Sequence, residues 1–336
     1  MPIPKRLALA NLPTRIDPLP RMSKVLNGPE LWIKRDDQTG TEVSGNKVRK
    51  LEYAIQEALD LGCDTLITCG GIQSNHARAT AAAAAQLGLG CSLVLNIAEQ
   101  PPRQGNYLLD GLLDADIRFL TPEATPELMQ AKRVATMEAI CGELRAKGRK
   151  GYVIPLGASN GIGVFGYAQA MKEICRQEQE LGFQFDAIVC AVGSGGTYAG
   201  LVLGKRLERH PGTVHGIPIA DDAAYFTPVI LGALREAAGI MGTSAAFGQE
   251  DLALLDGYAG RGYALSRPEE LETIRLFAKT EGIILDPVYT GKAMHGLLTE
   301  IRKGTFTAGQ RVLFIHTGGL FGVFHFLAGD TMLPGA

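Results

Sequence analysis

Short apolar runs alternate with helix-length amphipathic stretches along nearly the whole chain, and that alternation restricts the fold more than any other feature. Strand-length runs are Leu31 to Lys34, Thr65 to Cys69, Ser92 to Asn96, Ile117 to Leu120, Tyr152 to Pro155, Ala187 to Val192, Val214 to Ile219 and Val312 to His316. Helical patterns fall between them, among them Lys47 to Leu61, Ser74 to Leu87, Thr125 to Lys147, Val164 to Leu181, Thr197 to Arg206 and Gly291 to Lys303. Strands separated by crossover helices predict an α/β protein with mostly parallel sheets, each covered on both faces. In such sheets ligands bind beyond the carboxyl ends of the strands, in the turns that start helices.

Four helix starts carry candidate chemistry. Lys47, Arg49 and Lys50 crowd the first turn of a helix whose only early acid is Glu52, with Ser44 or Asn46 as its N-cap. A helix start carries partial positive charge, which disfavours cations. The cluster fits an anion site or an amine used in its neutral form as a nucleophile, and it also fits a solvated basic turn. Gly193-Ser194-Gly195-Gly196-Thr197 follows a buried strand and offers backbone N–H groups and two hydroxyls to a phosphate. It lacks a P-loop lysine, and Tyr198 stands where a dinucleotide fingerprint needs its third glycine. A phosphorylated cofactor fits this turn, as does a tight turn needing small residues. Ser74, Asn75 and His76 open a third helix as caps or as carboxylate donors. Tyr289 stands before a fourth helix and Tyr263 lies upstream, where each fits stacking on a ring or orienting a substrate and also fits a place in the core. Thr317, past a late strand, fits a hydrogen bond to a ring nitrogen and also a small-residue turn.

The chain's 336 residues suffice for two domains, and its 46% hydrophobic and 20% charged residues are those of a soluble globular protein. A net charge of −2 gives no global field for nucleic acid or an anionic membrane. The six cysteines have no zinc-ligand spacing and read as buried, reduced thiols of a cytosolic protein; no metal is expected. The start of the chain is too poor in apolar residues for a secretion signal. Gln86, Gly88, Gly90 and Asn96 split the uncharged stretch Ala79 to Ala98 into a helix and a strand, so no membrane span is expected.

Taken in order, Trp32-Ile33-Lys34-Arg35-Asp36-Asp37, Gly45-Asn46-Lys47, Gln73-Ser74-Asn75-His76, Asp286 to Lys292 and His316 to Gly319 resemble pyridoxal-phosphate enzymes of the tryptophan-synthase-β fold type. Within that type the chain resembles the branch of D-cysteine desulfhydrase and 1-aminocyclopropane-1-carboxylate deaminase. The resemblance implies pyridoxal 5'-phosphate as cofactor, a small amino acid as substrate and a homodimer. It implies a large domain of residues 1–47 plus 159–336 and a small inserted domain of residues 48–158, with the site in the cleft between them. It makes Lys47 the Schiff-base lysine that also moves the substrate Cα proton, and Asn46 the partner of the cofactor's phenolic oxygen. Lys50 and Gly193, Ser194, Gly195, Gly196 and Thr197 would hold the phosphate. Ser74, Asn75 and His76 would hold the substrate carboxylate, with Ser74 also in proton transfer. Tyr263 and Tyr289 would flank substrate and cofactor, and Thr317 would meet the ring nitrogen.

Departures within the branch bear on the reaction. Deaminases resembling this chain have Glu directly after the tyrosine matching Tyr289, where Thr290 stands here. A carboxylate there would strengthen the electron sink that opens a cyclopropane. The resemblance therefore implies α,β-elimination on D-cysteine, with cysteate or another β-substituted alanine as alternatives, and disfavours ring-opening deamination. Ser44 in place of Gly and Val48 in place of Thr stand beside Lys47, where they bear on substrate shape. A non-catalytic protein that binds pyridoxal phosphate is the alternative of a different class, and such a protein needs none of Ser74, Tyr263 and Tyr289.

Overall fold

The computed structural model describes residues 3–99, 101–244 and 246–327; residues 1–2 and 328–336 of the expected large domain lie outside the described residues. The chain opens with β1 (Ile16–Pro18), α1 (Pro20–Leu26), β2 (Glu30–Lys34) and α2 (Asn46–Asp60). It continues through β3 (Thr65–Gly71), α3 (Asn75–Gln86), β4 (Gly90–Asn96), α4 (Gly105–Leu112), β5 (Asp116–Leu120), α5 (Pro126–Ala146) and β6 (Gly151–Val153). Then follow α6 (Gly161–Leu181), β7 (Ala187–Val192), α7 (Gly196–Glu208), β8 (Thr213–Pro218), α8 (Ala223–Ile240) and β9 (Ala253–Leu254). Last come α9 (Pro268–Glu281), α10 (Thr290–Lys303), β10 (Arg311–Ile315) and α11 (Leu320–Phe326).

These strands form two sheets, ordered β1-β2-β10-β7-β8-β9 and β5-β4-β3-β6. Every pairing is parallel except that of β1 with β2. Alternation along the central strands explains the layers. Leu31 and Ile33 of β2, Val189 and Ala191 of β7, and Val312 and Phe314 of β10 join one core with Phe277 and Leu297 of the covering helices. Trp32, Ile188, Cys190, Leu313 and Ile315 alternate to the opposite face, where they pack on Phe165, Met171 and Leu201. That second core runs on into Leu66, Ala79, Ala83 and Ile154, so one packed body links the two sheets. Truncating Phe314, which is fully buried, would destabilise the fold by about 3–5 kcal/mol.

The strands β7 and β10 are hydrogen-bonded neighbours, so the turns after Val192 and Ile315 open side by side. The periodicity missed β1, α1, β9 and α11, each of seven residues or fewer and too short to show a period. It also began α6 at Val164, whereas Asn160 caps a helix starting at Gly161; the glycines there carry no apolar signal. Cys63, Cys69 and Cys190 are buried, but Cys91, Cys141 and Cys175 are only half-buried, at helix and strand edges; all six are free. Among the described residues no helix is long and apolar enough to cross a membrane.

Candidate active site

The start of α2 is set by backbone crossing, not by a side-chain cap. Gly45 is the N-cap at φ 83, and a Cβ there would come within 2.9 Å of the Thr317 carbonyl oxygen. Only glycine takes that conformation so close to the end of β10. Asn46 N donates to the Thr317 carbonyl at 3.1 Å, and Asn46 Nδ2 donates to Thr197 Oγ1 at 2.9 Å. Neither Ser44 nor Asn46 caps the helix, because Asn46 ties α2 to the start of α7 instead. Lys47 is thereby delivered to the cleft at the carboxyl ends of β7 and β10.

The basic cluster divides. Arg49 turns away from the cleft, where its Nε and Nη2 meet Asp36 at 2.9 and 2.8 Å and its Nη1 meets Glu173 at 3.0 Å. Its charge is answered within the fold, so it belongs to no anion site. Among the described residues, Lys47 and Lys50 have no carboxylate in hydrogen-bond contact. Burial lowers the Lys47 amine to about 8, against the pull of Asp286. Burial and then the charge of Lys47 hold the fully buried Lys50 well below its ordinary value. Buried positive charge without a counter-ion is costly, and an arriving anion would relieve it.

The glycine turn lies beside these lysines. Gly195 caps α7 at φ 84, and the first turn of that helix has no acid. Ser194 Oγ shares a 2.8 Å hydrogen bond with Ser159 Oγ, which also accepts from Gly196 N at 3.2 Å and from Lys50 Nζ at 3.5 Å. Helix-start amides, hydroxyls and an unanswered ammonium form a donor set for a phosphate, and the residues present fit a phosphorylated cofactor. Ser159 was not legible in the sequence, since it comes from a turn 35 residues before Ser194.

Across the cleft, Ser74 is the N-cap of α3 and its Oγ accepts from Ala77 N at 3.2 Å. The Asn75 side chain lines the cleft, whereas the His76 ring turns inward and meets Thr68 Oγ1 at 2.8 Å. His76 can therefore serve the cleft only through its backbone. Lys47 Nζ lies 5.7 Å from the centre of the Tyr289 ring, and Tyr289 Oη meets Tyr263 Oη at 2.7 Å. Burial holds the Tyr289 phenol well above its ordinary value, so it stays protonated. Thr317 also lines the cleft. Thr290 does not: its hydroxyl donates to Asp286 Oδ1 at 2.7 Å, and Asp286 also accepts three backbone N–H groups of its own turn.

The cleft thus gathers Asn46, Lys47, Asn75, Tyr289 and Thr317 around Gly193, Ser194, Gly195 and Thr197, with Ala191 as a further wall. Lys50, Ser74, His76, Gly196 and Tyr263 stand one contact behind that lining. The arrangement supplies an anion cradle, a buried amine with a lowered pKa, and phenol and amide donors.

Residues 7–318 match the family described as pyridoxal-phosphate dependent enzyme. The chain is 43% identical over 335 residues to the bifunctional D-cysteine desulfhydrase/1-aminocyclopropane-1-carboxylate deaminase, mitochondrial, of Arabidopsis thaliana, covering 96% of this chain and 80% of that protein. It is 40% identical over 319 residues to the D-cysteine desulfhydrase of Salmonella newport, covering 94% of each. A crystal structure titled as an ACC deaminase homologue superposes with a TM-score of 0.87 at 40% identity, over 97% of this chain and 95% of that one. The chain belongs to the pyridoxal-phosphate-dependent enzymes, with the two-sheet fold of the tryptophan-synthase-β type.

Proposed function

We propose that this pyridoxal-phosphate enzyme catalyses α,β-elimination on a small β-substituted amino acid, with D-cysteine as substrate. With one water consumed, the products are pyruvate, ammonia and hydrogen sulfide. The observation that carries the choice is the absence, among the described residues, of a free carboxylate beside Thr317 in the cleft lining. Thr317 lines the cleft, while position 290 offers no carboxylate and the oxygens of Asp286 are held by their own turn. A neutral partner makes the cofactor ring a moderate electron sink, sufficient to expel hydrosulfide and poorly suited to opening a carbon ring. The Salmonella relative's name agrees with this reading, and the Arabidopsis relative is named for both activities.

Bound in the cleft, pyridoxal phosphate supplies an aldehyde for the substrate amine and a ring that draws charge from Cα. Lys50 and the amides of residues 193–197 would hold its phosphate, and Asn46 would be the partner of its phenolic oxygen. Lys47, its amine lowered to about 8, keeps a usable neutral fraction near neutral pH and takes the Cα proton. Asn75 and the start of α3 hold the substrate carboxylate. The Tyr263–Tyr289 pair holds a phenolic proton for the departing sulfur. The same reading divides the chain into residues 1–47 with 159–336 and a smaller unit of residues 48–158.

Purified holoenzyme given D-cysteine, β-chloro-D-alanine, L-cysteate and 1-aminocyclopropane-1-carboxylate in parallel tests the assignment. Pyruvate from the first two, with far slower 2-oxobutanoate from the last, is expected. Faster turnover of L-cysteate or of the cyclopropane would reassign the substrate. A yellow protein that releases a product from none of them would be a binder and not a lyase.

A further inference from the structure

Asn106, fully buried in α4, uses every polar group it has. Its backbone N–H donates to Gln73 Oε1 at 2.8 Å. Its Nδ2 donates to the Gln73 carbonyl and to Asn75 Oδ1, both at 2.9 Å, and its Oδ1 accepts from Arg78 Nε at 3.1 Å. Two of these partners fix which way the amide faces. An arginine N–H can only donate and a backbone carbonyl can only accept. Turning Asn106 over would set donor against donor at Arg78 and acceptor against acceptor at Gln73, both in the interior. Arg78 is itself anchored, with its Nη1 bonded to the Glu42 carbonyl and its guanidinium 5.1 Å from the centre of the Phe321 ring.

Once Asn106 presents Nδ2, Asn75 must answer with its oxygen. Its own Nδ2 is left without a hydrogen-bond partner among the described residues, on a side chain that lines the cleft. We infer that Asn106, locked by Arg78, is a positioning residue that fixes Asn75 as a hydrogen-bond donor and so commits the substrate site to a carboxylate. This rests on the reading above that Asn75 meets the substrate. The polarity of the site is therefore set outside it, by a donor-only side chain two contacts away.

The replacement Asn106→Asp keeps the shape and removes the donor, which lets Asn75 turn its oxygen to the cleft. Spectral titration of the holoenzyme with D-alanine and with ethylamine, which lacks the carboxylate, reads the outcome. D-Alanine affinity is expected to fall about ten- to a hundredfold, with ethylamine affinity unchanged. Equal weakening of both ligands, or no change in either, would overturn the positioning role. Asn75→Ala separates the underlying reading: if it leaves the ratio of the two affinities at the wild-type value, Asn75 does not meet the carboxylate. Should Asn106→Asp fail to fold, asparagine-labelled wild-type holoenzyme answers by NMR. The Asn106 side-chain amide protons should exchange slowly, and the Asn75 amide should shift with D-alanine and not with ethylamine. Rapid exchange at Asn106, or an Asn75 amide indifferent to D-alanine, would overturn the inference.

Discussion

The two ends of the cleft are held by different means. At the end proposed to hold the phosphate the donors are backbone groups of the β7-to-α7 turn, with Lys50 behind them. That turn follows a strand buried on both faces, paired with β8 and β10. At the other end Tyr263 arrives on residues 255–267, which have no regular structure, and the following Ala264 has φ 60. Left-handed backbone at a non-glycine residue persists only where its surroundings impose it. The buried Lys292 ties this segment down just before it: its Nζ donates to the Ala259 and Gly262 carbonyls at 2.8 and 2.6 Å. The proposed cofactor cradle thus rests on the fold itself, and the placing of Tyr263 rests on a few side-chain bonds.

Breaking that contrast at its centre has the largest effect. Lys47 sits between the two ends, and Lys47→Ala should lower D-cysteine turnover by at least about 10³-fold, measured as sulfide release. Near-normal turnover would remove Lys47 from the chemistry. Tyr263→Phe should reduce kcat by about 10²-fold and leave the cofactor's visible absorbance and retention intact. Bleaching on that change would mean that the ends are not separable. Lys50→Met should do the reverse, raising the cofactor dissociation constant about ten- to a hundredfold, by fluorescence titration, with a smaller change in kcat at saturating cofactor.

Lys292→Met leaves two carbonyls without their donor and should lower kcat about tenfold. Combined with Tyr263→Phe it should add little, and fully multiplicative losses would show that Lys292 acts elsewhere. The remaining effect is on stability. The Lys47 amine is lowered to about 8 in the folded protein and has its ordinary value of 10.5 when unfolded, so the unfolded chain binds more protons between those values. The stability of cofactor-free wild type relative to cofactor-free Lys47→Ala should therefore rise with pH from about 8 to 10.5. A flat difference in denaturation midpoints across that window would mean that Lys47 is not desolvated.

That Gly193–Thr197 and Lys47 would meet in one cleft could be anticipated from the sequence, because both lie at strand-to-helix turns of a parallel α/β pattern. Composition and position marked both as candidates and left a tight turn and a solvated basic turn open; the resemblance gave them their roles. The basic turn misled at Arg49, since nothing local reveals that Asp36 and Glu173 wait for it across α2 and α6. Capping misled at Ser44 and Asn46, because the close pass of β10 decides that helix start. The roles of Ser159, Asn106 and Lys292 were invisible for one reason: each acts through partners at least 28 residues away, brought near only by packing. His76 belonged to a legible motif, yet its ring has a burial that the motif does not encode.

Deuterium exchange at Cα of D-alanine in D2O tests the central claim most directly, because this substrate has no group to expel. Holoenzyme of the wild type and of Tyr263→Phe should both incorporate deuterium, while Lys47→Ala loaded with cofactor should not. Exchange by Lys47→Ala, or its complete loss in Tyr263→Phe, would contradict the assignment of proton removal to Lys47 and of leaving-group protonation to the tyrosine pair.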